Sequence, residues 1–123
     1  DLSKFSTEIS FALNDLGAQL GYIKERDKTV AGYGASGRAN VVTSTKNWDT
    51  NDLMYIVDES PERYDRFTSN GKIPIFNPEI LEHHPPDYIL ILAWNFADMI
   101  IEKTKHLGIP YIVPFPEIKF INP

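Results

Sequence analysis

The chain has 123 residues, of which 42% are hydrophobic and 24% charged, and its formal net charge is −5. This length suits one domain, while the acidic balance without a clustered basic face disfavours a nucleic-acid partner. The absence of cysteine excludes disulfides and thiolate metal sites, and with no membrane-length apolar run and no signal peptide the expected class is a soluble, cytoplasmic domain.

A long amphipathic helix is predicted from about Ser3 to Glu25. Its apolar residues recur at steps of three and four, which places them on one face. They are Leu2, Phe5, Ile9, Leu13, Leu16, Leu20 and Ile23. The stripe from Phe5 to Ile23 is expected to be buried, partly within the domain and partly against a neighbour. A coiled-coil seam is the alternative, and the abrupt start of the helix is what an excised piece of a longer chain would show.

A first strand, Thr29 to Gly32, runs into a Gly-x-Gly-x-x-Gly turn and a helix from about Ser36 to Lys46. In such a turn the first glycine permits the bend, Gly34 lets a ligand approach the backbone, and Gly37 lets the helix pack on the strand. The amides at the helix start suit a phosphate or another anion. The alternative is that the glycines only form a tight strand-to-helix connection.

The next segments are a second strand, Leu53 to Val57, and a third, Ile73 to Phe76. Asp58 follows the second strand at the offset where dinucleotide-binding folds place a ribose-binding acid. Ser60-Pro61 predicts a short helix that ends at about Arg66. Pro74 cannot donate to a sheet ladder, so the third strand is predicted at the rim of the sheet.

Asn77-Pro78 predicts one or two helical turns, which end at His83-His84-Pro85-Pro86. The two adjacent histidines lack the partner ligands that a stable metal site needs, so no metal is assigned. The run Tyr88 to Ala93 is apolar without alternation and predicts a central parallel strand.

Asn95 is predicted to cap a helix from Phe96 to Leu107, which Gly108 ends. Ile109 to Val113 predicts the last strand, and prolines 114, 116 and 123 predict a stiff tail. Strands therefore alternate with helices along the chain.

This alternation predicts an α/β fold: a Rossmann-like, open, mainly parallel five-stranded sheet in the order 3-2-1-4-5, with helices on both faces and a long N-terminal helix. The switch point lies between the first and fourth strands. Gly32-Tyr33-Gly34 and Trp94-Asn95 should therefore flank a ligand crevice.

Five segments occur in the order that one enzyme family shows. They are Gly32-Tyr33-Gly34-Ala35 with a cation and Asn40 soon after, Val57-Asp58-x-x-Pro61, Gly71-x-Ile73-Pro74-Ile75, Pro86-Asp87-Tyr88 through Ala93-Trp94-Asn95-Phe96, and Ile112-Val113-Pro114-x-Pro116. On these residues the chain resembles the C-terminal domain of the sugar C-methyltransferases. The resemblance begins at about Phe5, and Ala-Trp-Asn-Phe is its most distinctive part.

The resemblance implies that residues 1–123 form one Rossmann-like domain of a larger enzyme of deoxysugar biosynthesis. Such enzymes use S-adenosylmethionine (SAM) to methylate a ring carbon of nucleotide-linked keto-deoxysugars. A cysteine-rich zinc region and an N-terminal SAM-binding domain would lie outside this sequence, so no catalytic residue, zinc or SAM is assigned to this chain. Two departures from the family pattern are Arg38 in place of the usual lysine and Met99 in place of an acidic residue.

By this resemblance and the switch-point argument, nine residues are expected to contact the nucleotide sugar. They are Gly32, Tyr33, Gly34, Ala35, Ser36, Arg38, Asn40, Trp94 and Asn95. The resemblance makes Asp58 a loop-ordering residue instead of a ribose acceptor. Two alternatives remain: a stand-alone NAD or nucleotide-binding module, and an interaction or dimerisation domain that uses the first helix. The sequence shows no paired acid/base constellation and no Ser-His-Asp arrangement.

Overall fold

The structure, a computed structural model, describes residues 2–123, with the backbone alone for residues 2–9. Its helices and strands are α1 (Leu2–Glu25), β1 (Val30–Tyr33), α2 (Gly37–Thr45), β2 (Ile56–Val57), β3 (Arg66–Phe67), β4 (Pro74–Phe76), α3 (Ile80–His83), β5 (Tyr88–Ile91), α4 (Ala97–Thr104), β6 (Tyr111–Val113) and β7 (Lys119–Ile121). Single 3₁₀ turns, Trp94–Phe96 and Lys105–Leu107, flank α4. Within the described residues no helix is long and apolar enough to cross a membrane.

The strands form one mixed sheet in the order β3-β4-β2-β1-β5-β6-β7. Its five inner strands are parallel and reproduce the predicted order 3-2-1-4-5. At the switch point, Gly32 pairs with Ile56 on one side and with Leu90 on the other. The predicted count of five strands is wrong, because a short antiparallel strand is added at each edge.

The first added strand, β3, covers the edge that was predicted for β4. Arg66 pairs with Ile75, and Phe67 pairs with Pro74. The chain reaches this position through turns over residues 61–65, where a short helix was predicted, and the Thr68 N–H donates to the Ile73 carbonyl at 2.8 Å. Pro74 therefore lies one strand inside the rim, where it pairs with Phe67 across a short hairpin.

The second added strand, β7, follows the prolines that predicted a stiff tail. After Pro116 the chain turns back, and Lys119 pairs with Val113 while Ile121 pairs with Tyr111. The tail thus closes the β6 edge of the sheet.

Apolar side chains alternate between the two faces of the central strands, and helices cover both faces as predicted. Leu90 belongs to the cluster beneath α1 and α2, together with Leu16 and Val42. Ile89 and Ile91 belong to the cluster beneath α3 and α4. The sheet is therefore buried on both sides, which explains the uninterrupted apolar run of β5.

The inner end of α1 buries its stripe as predicted. Leu16, Leu20 and Ile23 lie in the first cluster, and Leu13 packs against it. Phe11, on another face of the helix, is 72% exposed. The side chains of Phe5 and Ile9 lie outside the described part of the helix.

The helix α4 begins later than predicted. Asn95 lies inside the 3₁₀ turn, so the residue preceding α4 is Phe96, which makes no side-chain cap bond. The predicted end is confirmed, because Gly108 adopts a left-handed conformation, with φ 70°, directly after the second 3₁₀ turn.

Candidate functional site

A cleft of about 650 Å³ opens at the carboxyl ends of β1, β2 and β5. Tyr33 and Gly34 form its floor at the end of β1, and Ser36 to Arg38 form one wall at the start of α2. The loop after β2 contributes a second wall, and residues from Ala93 to Ile100 contribute a third. This is the switch point at which a ligand crevice was predicted.

Gly34 is the glycine that the turn requires. Its φ of 102° disfavours any other residue, and a Cβ built there would lie 2.6 Å from the Cβ of Ala93. The β1 and β5 ends therefore touch beneath the cleft.

The other two glycines differ from their predicted roles. Gly32 lies inside β1, where a Cβ would come within 2.8 Å of Leu92 Cδ1, so it serves close packing and not the bend. A Cβ on Gly37 would meet no atom within 4 Å, so close packing of α2 on the strand does not depend on it.

Asp58 ties two of the walls together. One carboxylate oxygen, Oδ2, accepts the N–H of Ala35 at 2.7 Å and a guanidinium N–H of Arg63 at 3.2 Å. The other, Oδ1, accepts the N–H of Ser60 at 2.8 Å. The carboxylate is buried and its acceptor capacity is largely used within the protein, so it orders loops as the resemblance implied.

Arg38, Trp94 and Asn95 form a cluster at the mouth of the cleft. The guanidinium of Arg38 lies over the indole of Trp94, 5.6 Å from the ring centroid. In the amide orientation that satisfies its hydrogen bonds, the side-chain oxygen of Asn95 faces Arg38. It accepts from Nη1, and from Nη2 at 3.2 Å. Among the described residues no carboxylate pairs with Arg38. Its positive charge is therefore oriented by neutral groups and is not neutralised.

Trp94 does not line the cleft; it packs beneath the guanidinium of Arg38. Its half-buried ring packs at 5.6 Å from the ring of Phe115, on the side of α1. Of the predicted pair, only Asn95 reaches the cleft surface.

Of three further residues that were predicted to contact the ligand, one lines the cleft and two lie outside its lining. Ser36 lines the cleft, and its side chain makes no capping bond to α2, so it leaves the first-turn amides available. Ala35 is buried and donates its N–H to Asp58. Asn40 lies away from the cleft lining, where its oxygen accepts the N–H of Ser69 at 3.1 Å.

Tyr33 separates the cleft from a second pocket of about 380 Å³ between α3 and α4. Burial raises the pKa of its hydroxyl, and the neighbouring carboxylate of Glu59 raises that pKa further. Glu59 is itself held at 2.9 Å by Lys103 Nζ. Tyr33 is thus a neutral hydrogen-bonding group at the floor of the cleft.

The sequence reasoning missed Arg63, Phe96 and Ile100 as cleft residues. Arg63 lies five positions after Asp58 and forms an ion pair with it. The short helix predicted there gave no reason to place the Arg63 side chain in the cleft. The histidine pair belongs to the scaffold, where the carbonyl of His84 accepts the Tyr55 hydroxyl at 2.8 Å. Among the side chains that the structure describes, those of residues 10–123, there is no cluster of three or more metal-ligating groups.

Comparison with known proteins gives a family match, a related enzyme and a similar solved structure. The profile of the C-methyltransferase C-terminal domain family matches residues 1–116. The C-methyltransferase NovU of Streptomyces niveus is 35% identical over 98 residues, which cover 77% of this chain and 23% of that protein, so the chain spans about a quarter of that relative. The crystal structure of UDP-D-quinovosamine 4-dehydrogenase from Vibrio fischeri superposes with a TM-score of 0.55 at 16% identity, covering 76% of this chain and 93% of that one. At this identity the likeness shows a Rossmann-type fold and nothing more.

Proposed function

The chain belongs to the family of C-methyltransferase C-terminal domains, and we propose that it is the substrate-binding domain of a SAM-dependent enzyme that methylates a nucleotide-linked keto-deoxysugar. In this proposal the cleft at the ends of β1 and β5 holds the nucleotide sugar. Other domains of the full protein supply the catalytic groups for methyl transfer to the sugar, together with the SAM and the zinc that the family resemblance implies.

The observation that carries the proposal is the Arg38 cluster beside the first turn of α2. A guanidinium that is oriented by Asn95 and Trp94 and has no carboxylate partner among the described residues offers paired N–H donors to an anion. The uncapped amides at the start of α2 add a partial positive charge on the same wall. A diphosphate fits this combination because it is anionic and accepts several hydrogen bonds.

The apolar rim of the cleft suits the other part of such a ligand. Phe96 and Met99 line the cleft and are 58% and 48% exposed. A deoxysugar has fewer hydroxyl groups than an ordinary sugar, and a base or a deoxygenated ring face can cover these side chains.

The state of Asp58 argues against a dinucleotide or SAM site in this chain. An acidic residue after the second strand would have to accept the ribose hydroxyls of the adenosine. Here both carboxylate oxygens are engaged, by Ala35, Ser60 and Arg63, and the residue is 6% exposed. The residues present therefore do not fit SAM, and the chain's part in the reaction is to bind and orient the sugar.

Amide shift perturbation of the ¹⁵N-labelled chain tests the proposal. A thymidine-diphosphate deoxysugar, NAD and SAM are titrated separately. The proposal expects shifts at residues 33–38 and 93–95 with the nucleotide sugar and none with SAM. Shifts with NAD alone would replace the proposal with a dinucleotide module, and no shifts with any ligand would leave the interaction-domain alternative.

A further inference from the structure

We propose that Arg63 is a second anion-binding residue of the cleft, so that a diphosphate is held between guanidinium groups from the start of α2 and from the turn after β2. Arg63 and Arg38 both line the cleft, one from the turn after β2 and the other from the first turn of α2. The inference rests on the proposed function, because it assigns the two ends of the diphosphate of the nucleotide sugar.

The position of Arg63 is fixed by its own backbone and by Asp58. Its N–H donates to the carbonyl of Ser60 at 3.0 Å, which closes the turn. Its Nη1 donates to Asp58 Oδ2 at 3.2 Å, while 47% of its side chain remains exposed. A guanidinium has five N–H donors, and among the described residues Arg63 uses them in this one contact, so the remaining donors are free for a ligand.

The charge of the Asp58 carboxylate does not depend on Arg63 alone for its stabilisation. Two backbone N–H groups, from Ala35 and Ser60, already stabilise its charge. Arg63 can therefore share its guanidinium with an incoming phosphate without leaving the buried carboxylate unsatisfied.

The other carboxylate of this wall is also accounted for. Glu59 lines the cleft but is bound by Lys103 at 2.9 Å, so its charge is partly neutralised by a cation from α4. The cleft therefore offers two arginines: Arg38, which has no carboxylate partner among the described residues, and Arg63, which is held by a carboxylate that two backbone N–H groups also stabilise. A single phosphate can satisfy one of them, whereas a diphosphate carries charge and acceptor oxygens for both.

Calorimetric titration of the 123-residue chain with inorganic pyrophosphate and with orthophosphate, at equal ionic strength, tests this pairing. The variants are Arg63→Met, Arg63→Lys and Arg38→Met, with Arg66→Met as the control because Arg66 is exposed on β3 and lies outside the cleft lining. The wild type should bind pyrophosphate about tenfold more tightly than orthophosphate.

Arg63→Met should weaken pyrophosphate binding by about tenfold and change orthophosphate binding little, and Arg63→Lys should recover part of the loss because the charge remains. Arg66→Met should bind like the wild type. Equal binding of the two anions by the wild type, or wild-type pyrophosphate binding by Arg63→Met, would overturn the inference. If the nucleotide sugar still shifts the cleft amides in that case, the proposed function stands without Arg63.

Discussion

The carboxylate of Asp58 accepts the backbone N–H of Ala35 at 2.7 Å and so joins the loop after β2 to the glycine turn after β1. These loops form two walls of the cleft. A buried N–H without an acceptor is costly, so this single contact couples the stability of the fold to the shape of the site.

Replacing Asp58 with asparagine should destabilise the chain by about 2–3 kcal/mol, because an amide cannot accept from Ala35, Ser60 and Arg63 together. Asp15→Asn is the matched control, since Asp15 is exposed on α1, and should change stability by no more than about 0.5 kcal/mol. Urea unfolding followed by tryptophan fluorescence measures both, with the buried Trp48 as a probe. Equal midpoints for the two variants would contradict the account of Asp58.

Gly34 and Gly37 should respond in opposite ways to substitution by alanine. Gly34→Ala should cost about 2–4 kcal/mol, because φ is 102° and the new methyl would meet Ala93. Gly37→Ala should be neutral or slightly stabilising, because the added methyl meets no atom and alanine favours a helix. Thermal unfolding of the pair provides the comparison, and similar losses at both positions would show that the turn geometry is wrong.

The helix α1 should behave as an integral part of this domain. Leu16→Ala should destabilise the chain by about 2–5 kcal/mol, since Leu16 is only 1% exposed and packs between α1 and the sheet. Phe11→Ala, at an exposed position of the same helix, should stay within about 0.5 kcal/mol of the wild type. Chemical denaturation distinguishes this from a helix that packs only on a partner, for which both substitutions would leave the isolated chain unchanged.

The free energy of unfolding should fall at high pH because the buried hydroxyl of Tyr55 resists ionisation in the folded chain. Burial raises the pKa of Tyr55 to about 12, against about 10 for an unfolded tyrosine. Between these values the unfolded chain releases a proton that the folded chain keeps, so this contribution is complete below pH 10 and is lost as the pH rises toward 12. The loss should reach roughly 1–3 kcal/mol.

Urea unfolding at pH 9, 10.5 and 11.5 measures this contribution as the difference between the wild type and Tyr55→Phe. The variant lacks the hydroxyl that donates to His84, so it should begin about 1 kcal/mol less stable and then lose less stability as the pH rises. Two parallel curves would contradict the assignment to Tyr55.

The inner sheet could be predicted because its signals are local and its rules are general. Apolar runs separated by helices indicate parallel strands, and the handedness of crossovers then limits the strand order. The edge strands β3 and β7 could not be predicted in this way. Arg66–Phe67 is too short to show a period, and the turn before it, in which Asp65 adopts φ 58°, is not marked by a glycine.

The sequence predicted where the cleft lies but only some of the residues that line it. The switch-point rule located the cleft between the glycine turn and Trp94-Asn95. It could not show that Trp94 supports Arg38 from behind, because the 3₁₀ turn that sets the direction of the indole leaves no pattern in the sequence. Nor could it find Arg63, whose position depends on a loop contact with Asp58.

The dissociation constant of a thymidine-diphosphate deoxysugar for the wild-type chain, Arg38→Met and Arg66→Met tests the central claim most directly. Arg38→Met should weaken binding by about tenfold, with a loss that shrinks as salt is raised, because a charge-assisted contact in a cleft open to water is removed. Arg66→Met should match the wild type. Equal affinities for all three proteins would contradict the claim that this cleft holds the nucleotide sugar through Arg38.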